Sequence, residues 1–221
     1  MLWLLLGYTL SRIAIMVIIP PRIHVFWDDS NIFIEGRRCA TQREGFAFAR
    51  DLRIHFDNLL QLATVLRPIG TGVCVGSIPP ELRELWDRLR ASGMDVEVFE
   101  RGAQTGREQG VDQCLQVHML RAVLDAFRPE VAVLLTGDGA GYEGGHGYHA
   151  DLERMYCKGW GIEVLSWSHC CARALRGWAE TVGVFVPLED FYESITFVEK
   201  LRPARTISLT RRKISLPRLR S

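Results

Sequence analysis

The chain has 221 residues, 48% of them hydrophobic and 24% charged, with a formal net charge of +1. That length suits one domain with a sizeable core, and the composition is globular, which sets aside a chain disordered throughout. The six cysteines (Cys39, Cys74, Cys114, Cys157, Cys170 and Cys171) form no disulfide framework or Cys-x-x-Cys pair, so reduced thiols in a cytosolic protein are expected.

The small net charge hides an asymmetry. Residues 199–221 carry eight Lys/Arg against Glu199 alone, and the 19 basic and 25 acidic residues elsewhere leave the body at −6. Three segments follow: an apolar extension over 1–21, a body over 22–198, and a basic tail over 199–221, expected to be loosely attached.

In residues 1–21, Arg12 interrupts the apolar run at a cost of roughly 2.5–3.5 kcal/mol for a spanning helix. A basic leader and a small-x-small cleavage site are lacking. Met16, just before Val17-Ile18-Ile19, is read as the preferred start, and a membrane anchor is not expected.

Ile23-His24-Val25-Phe26-Trp27 reads as a strand ending in Asp28-Asp29-Ser30-Asn31. Residues 46–66 have helical spacing (Phe48, Leu52, Phe56, Leu59, Leu60, Ala63). Gly72 to Gly76 reads as a strand, Pro80-Glu81 opens a helix carrying Leu82, Leu85, Trp86 and Leu89 inward, and Asp95 to Phe99 is a further strand. A polar loop over 100–110 leads to a helix from Val111 to Phe127, with Asp112 in its first turn.

Val131 to Leu135 is a short, wholly apolar run cut off by Thr136-Gly137-Asp138-Gly139, as in a buried parallel strand. A glycine-rich loop follows, then a helix over Tyr148 to Lys158 that includes Asp151, a strand over Gly161 to Trp167, and a helix over Cys170 to Ala179. A short closing segment runs from Leu188 to Phe197. Strands alternating with helices predict an α/β domain with a central, mainly parallel sheet flanked by helices.

Such sheets place their chemistry outside the carboxyl ends of strands. Asp28 and Asp138 end strands, and Asp112 and Asp151 lie near helix starts, so the four could converge. Each also has a plain structural use: Asp28 as a turn cap with Asn31, Asp112 as a helix-start charge, Asp138 as a turn former, and Asp151 as an exposed helix residue. Clustered carboxylates raise one another's pKa unless a cation joins them, and an oxygen-only set suits Mg²⁺ or Mn²⁺. His169-Cys170-Cys171 hints at a soft metal site, but adjacent residues share one tetrahedral ion with difficulty and the sequence shows no partner pair.

Phe26-Trp27-Asp28-Asp29-Ser30-Asn31, Glu108-Gln109-Gly110-Val111-Asp112 and Leu135-Thr136-Gly137-Asp138, in that order, resemble the NYN domain, a family of the PIN-like ribonuclease fold (Rossmannoid). The resemblance covers roughly residues 23–167. It implies metal-binding or catalytic roles for Asp28, Asp112 and Asp138, and an orienting role for Asn31 toward Asp28 or a phosphate oxygen. Family members usually continue Gly-Asp-x-Asp-Phe; here Gly139-Ala140-Gly141 intervenes, which makes Asp151 the fourth acid after an insertion. His118 stands where many members carry another acid.

The expected activity is therefore metal-dependent hydrolysis of RNA phosphodiesters, with Asp28, Asp112, Asp138 and Asp151 holding Mg²⁺ or Mn²⁺. Single-stranded RNA is the expected partner, with Tyr142, His146, Tyr148 and His149 available to stack on bases or to pin the loop, and the tail cations available for phosphates. Homo-oligomers are left open. The first rival is a degenerate RNA-binding or scaffold protein on the same fold. The second is a phosphatase with Asp28 as nucleophile, disfavoured because Ser30 stands where the haloacid-dehalogenase pattern offers a second acid.

Overall fold

The computed structural model describes residues 20–77, 83–99 and 110–218. The expectations for residues 1–19, for the helix opening at Pro80-Glu81 and for the loop over 100–109 lie outside these residues.

Six strands, β1 (Ile23–Asp28), β3 (Ile69–Ser77), β4 (Asp95–Phe99), β5 (Val131–Leu135), β6 (Gly161–Ser166) and β7 (Val184–Pro187), form one sheet in the order β4-β3-β1-β5-β6-β7. Every pairing in it is parallel. The protein is thus an α/β domain whose central sheet is covered by helices on both faces. Strand parity divides the core. Ile23, Val25 and Trp27 of β1 face one layer, with α1 (Asp29–Glu44), α3 (Phe56–Thr64), α4 (Arg83–Ala91) and α8 (Tyr192–Ile195). Phe26 faces the other, with α5 (Val111–Asp125), α6 (Gly147–Cys157) and α7 (Arg173–Val182). No helix among the described residues is long and apolar enough to cross a membrane.

Several elements depart from the sequence reading. The stretch 46–66 is two helices, α2 (Phe46–Arg50) and α3, separated by β2 (Leu52–Ile54). Leu52 and Ile54 are buried and Arg53 is exposed, a period of two that the neighbouring helical spacing masks. β2 pairs antiparallel with β8 (Thr196–Val198), and His55 caps α3 by accepting the Asn58 N–H at 3.2 Å. α1 and β7 add two elements that the apolar pattern did not announce. The helix begun at Val111 ends at Asp125, leaving Phe127 fully exposed.

The tail is docked rather than loose. Arg212 is buried, donates to the Leu62 carbonyl at 3.0 Å and pairs with Glu163. Arg67 grips the same carboxylate at 2.7 and 2.9 Å. Ser215 donates its N–H to Glu163 at 2.7 Å and accepts the Ile162 N–H at 3.2 Å, and the Arg218 N–H reaches the Gly159 carbonyl at 2.8 Å. Position 161 must be glycine here, because a Cβ would meet the Leu216 carbonyl oxygen at 2.8 Å.

Candidate active site

β1 lies between β3 and β5, where the direction of strand succession reverses, so a crevice opens beyond the carboxyl ends of β1 and β5. The parity that sends Phe26 toward α5 and α6 sends Asp28 the same way. Asp28 is buried at the end of β1 and caps α1, accepting the Asn31 backbone N–H at 2.9 Å. Thr136, just past β5, donates its hydroxyl to the other oxygen of Asp28 at 3.2 Å, and that hydroxyl accepts the Asp138 N–H at 3.3 Å. The Asn31 side-chain oxygen accepts the Gly137 N–H at 3.0 Å. Asn31 therefore works twice: its backbone fixes Asp28, and its side chain fixes the turn that carries Asp138.

A Cβ at Gly137 would lie 2.7 Å from Ser166 Oγ and 3.0 Å from both Cys170 Sγ and Cys171 Cα. Glycine lets the turn seat against the loop after β6. Asp138 accepts the Ala140 N–H at 2.9 Å, a local turn bond that leaves it half-buried at the rim.

Asp112 stands exposed in the first turn of α5 and accepts the Tyr148 hydroxyl at 2.7 Å. Tyr148, at the start of α6, is 2% exposed. Its phenol is driven far above the ordinary value of 10 by burial first, then by the charges of Asp28 and Asp112, the bond to Asp112 and the charge of Asp138. One hydroxyl thus senses three carboxylates brought from β1, α5 and the turn after β5. Tyr148 drew notice in the sequence only as an aromatic ring; its fitness as a donor to Asp112 depends on a helix packing that the chain does not advertise.

Asp151 is held differently. It is buried, and its oxygens take the Gln116 amide at 2.8 Å and Arg154 at 2.7 Å. Gln116 is one turn beyond Asp112 on α5, so Asp151 lies alongside the acidic site with its charge answered by a guanidinium. It lines, with His146, Gln116, Val117, Leu120 and Arg154, an open groove of about 350 Å³.

Of the rings assigned to bases, Tyr142 and His149 stack on each other at 3.8 Å and 11°. His149 is buried and also touches Trp178, and Tyr142 donates to Glu153 at 2.8 Å. They pin the glycine-rich loop to α6 and α7. His146 is exposed, beside the groove.

His118 reaches Glu97 of β4 at 2.8 Å. Bonds from Cys114 and His118 lower the Glu97 carboxyl, while burial and Glu97 push the Cys114 thiol up to about 12. Among the described residues, the groups whose ligand atoms all lie within 4.8 Å of one another are Glu97–Cys114–His118 and Glu35–His169–Cys170. Asp28, Asp112 and Asp138 do not form such a group.

The tail cations whose contacts are described bind elsewhere. Ser215 and Arg218 bond to the amino end of β6, and Arg202 and Arg205 pair with Glu44 and Glu193. Arg211 and Lys213 are exposed and line a groove along β7.

No protein-family model matches the chain, and no curated protein matches it. A crystal structure of a protein of unknown function from Vibrio parahaemolyticus is similar, with a TM-score of 0.55 and 14% identity over 78% of this chain and 95% of that one. At that identity the likeness concerns the fold alone.

Proposed function

We propose that the protein is a metal-dependent ribonuclease of the NYN type, cutting RNA at Asp28, Asp112 and Asp138. The observation that carries this reading is the seating of Asp28 and of the turn bearing Asp138 by Thr136 and Asn31 at the switch point of a parallel sheet, with Asp112 held by the Tyr148 hydroxyl, which the charges of Asp28 and Asp138 also reach. The order of Asp28-x-x-Asn31, Val111-Asp112 and Thr136-Gly137-Asp138 along the chain adds the family resemblance.

An all-oxygen set whose ligand atoms do not all lie within 4.8 Å of one another suits Mg²⁺ or Mn²⁺, because Mg²⁺ keeps several waters and takes only one or two carboxylates directly. When bound, such an ion supplies Lewis acidity toward the phosphodiester and offsets the mutual repulsion of the acids. The chain's own groups prepare the site. Thr136 and the Asn31 N–H aim Asp28, Tyr148 holds Asp112, and the Asn31 side chain fixes the Thr136-Gly137-Asp138 turn. Exposed His146, beside the groove over α5 and α6, offers a ring to an unpaired base. The free cysteines suit a reducing compartment, and we assign the protein to the cytoplasm.

Two observations favour the alternative of an RNA-holding protein that does not cut: Arg154 neutralises Asp151, and His118 stands in place of an acid. Cleavage and binding of a labelled single-stranded RNA, in Mn²⁺, Mg²⁺ or a chelator, separates the two. Wild type is expected to cut in metal only, and Asp138→Asn to fold and bind without cutting. Metal-independent or absent cleavage by wild type, or full activity in Asp138→Asn, would rule out the nuclease assignment.

A further inference from the structure

Beside the acidic turn, the chain assembles a second and chemically distinct donor set. Glu35 of α1, with His169 and Cys170 from the turn after β6, place one carboxylate oxygen, one imidazole nitrogen and one sulfur within 4.8 Å of one another. The partner that the sequence failed to show for His169-Cys170 is thus a carboxylate 134 positions away from His169 in the chain. We propose that Glu35, His169 and Cys170 bind a zinc ion, which ties α1 to the loop after β6 next to the Thr136-Gly137-Asp138 turn.

The donor chemistry selects the metal. Zinc takes carboxylate, imidazole and thiolate together in a tetrahedron, whereas Mg²⁺ and Ca²⁺ call for oxygen alone. Donor atoms around a tetrahedral zinc lie roughly 3.3–3.8 Å apart, from the usual bond lengths. His169 Nε2 and Glu35 Oε2 are already 3.2 Å apart, so closure asks for a movement of about an ångström at most.

The surroundings are those of a ligand set held from outside. Arg38 takes Oε1 of Glu35 at 2.5 Å, leaving Oε2 turned to the histidine. The other ring nitrogen of His169, Nδ1, faces Glu189 Oε1 at 3.8 Å. Glu189 is itself fixed by the Ser168 N–H at 2.5 Å and the Ser168 hydroxyl at 3.3 Å. A carboxylate behind a metal-binding histidine is the usual means of setting its tautomer and orientation. Partial exposure of His169 leaves the fourth position to water.

A second group of the same donor types is the weaker candidate. The Glu97–Cys114–His118 group offers the same three donor types, but among the described residues no carboxylate backs the other nitrogen of His118. The proposed site also abuts the acidic one. Glu35 is one helical turn beyond Asn31 on α1, and Cys170 Sγ lies where a Cβ of Gly137 would come within 3.0 Å.

The test uses the full chain, stripped with a chelator and then titrated with Zn²⁺ against a chromophoric competitor, with metal content measured after desalting. One zinc per chain is expected. Co²⁺ in its place should give tetrahedral visible bands and a thiolate charge-transfer band. That band should vanish in Cys170→Ser and persist in Cys114→Ser. Glu189→Gln keeps every ligand and should weaken zinc 10–100-fold, a readout that holds even if Cys170→Ser fails to fold. A wild-type chain without stoichiometric zinc, a band lost only in Cys114→Ser, or unchanged affinity in Glu189→Gln would overturn the proposal. None of these outcomes depends on RNA cleavage.

Discussion

The acids of this sheet are treated in two ways. Toward its amino end and along β6, buried carboxylates are answered by fixed cations: Glu130 by Arg22, with the His24 ring hydrogen-bonded beside it, and Glu163 by Arg67 and Arg212. At the carboxyl end, Asp28 is held by an amide and a hydroxyl, Asp112 by a phenol, and Asp138 by an amide. Among the described residues, Asp112 and Asp138 form no ion pair. An acid buried for the sake of the fold needs its charge neutralised on the spot, since desolvation is costly. Carboxylates meant to share a hydrated Mg²⁺ or Mn²⁺ are better aimed by neutral donors; Glu35, a single carboxylate proposed to face zinc together with an imidazole and a thiolate, keeps its other oxygen on Arg38. Asp151, beside the site but paired with Arg154, belongs by this criterion with the first group.

The largest test of the contrast lies at Glu163. Glu163→Ala strands two buried arginines and should cost about 3–5 kcal/mol, read as a lowered midpoint in urea or thermal unfolding, together with release of the tail to protease. A loss below about 1 kcal/mol would mean that water already reaches the pair and that the tail is held by something else. At the other edge, Asp112→Asn should change stability by no more than about 0.5 kcal/mol, as an exposed residue does. If Asp112→Asn were as damaging as Glu163→Ala, the distinction between the two edges would collapse.

A middle-sized effect is expected at Tyr148. Tyr148→Phe removes the donor that holds Asp112 and keeps the buried ring. Stability should fall by about 1 kcal/mol, the worth of one hydrogen bond, while cleavage or metal affinity should fall about 10–100-fold, as for other groups that orient ligands. The split between the two readouts marks a positioning residue; equal, small losses in both would make Tyr148 merely part of the core.

How much of this was legible in the chain depends on how local the cause is. Val131–Leu135 followed by Thr136-Gly137-Asp138 announces a buried strand and its turn, because composition alone separates that run from its surroundings. Asp28 and Asn31 are legible as a turn cap; the structure starts α1 there and joins the cap and the candidate site in one arrangement. What could not be read is what depends on distant pairing. β2 is three residues long and exists through its ladder with β8, which lies 142 to 146 positions further on. The tail reads as a solvated basic terminus because its partner, Glu163, is buried in mid-strand and looks like an interruption of β6. The Glu35–His169–Cys170 group spans the fold in the same way.

The smallest effect expected concerns the loop that carries the candidate site's rim. His149 is buried in a stack with Tyr142, and burial lowers its pKa below the ordinary 6.5, against a partial opposing pull from Glu153. In the unfolded chain the imidazole takes its proton near 6.5, whereas in the folded chain it resists until the pH is lower. Between those two values the unfolded state binds more protons, so stability rises with pH there and falls as the solution is acidified through that window. His149→Phe keeps a ring for Tyr142 and removes the titration. It should leave stability at pH 8 nearly unchanged and flatten part of the decline below 6.5; the remainder belongs to His24, whose burial lowers its pKa in the same sense. If the wild-type and His149→Phe profiles run parallel from pH 8 to pH 5, the imidazole has room to protonate in place. The stack would then not be what fastens the glycine-rich loop beside the acids.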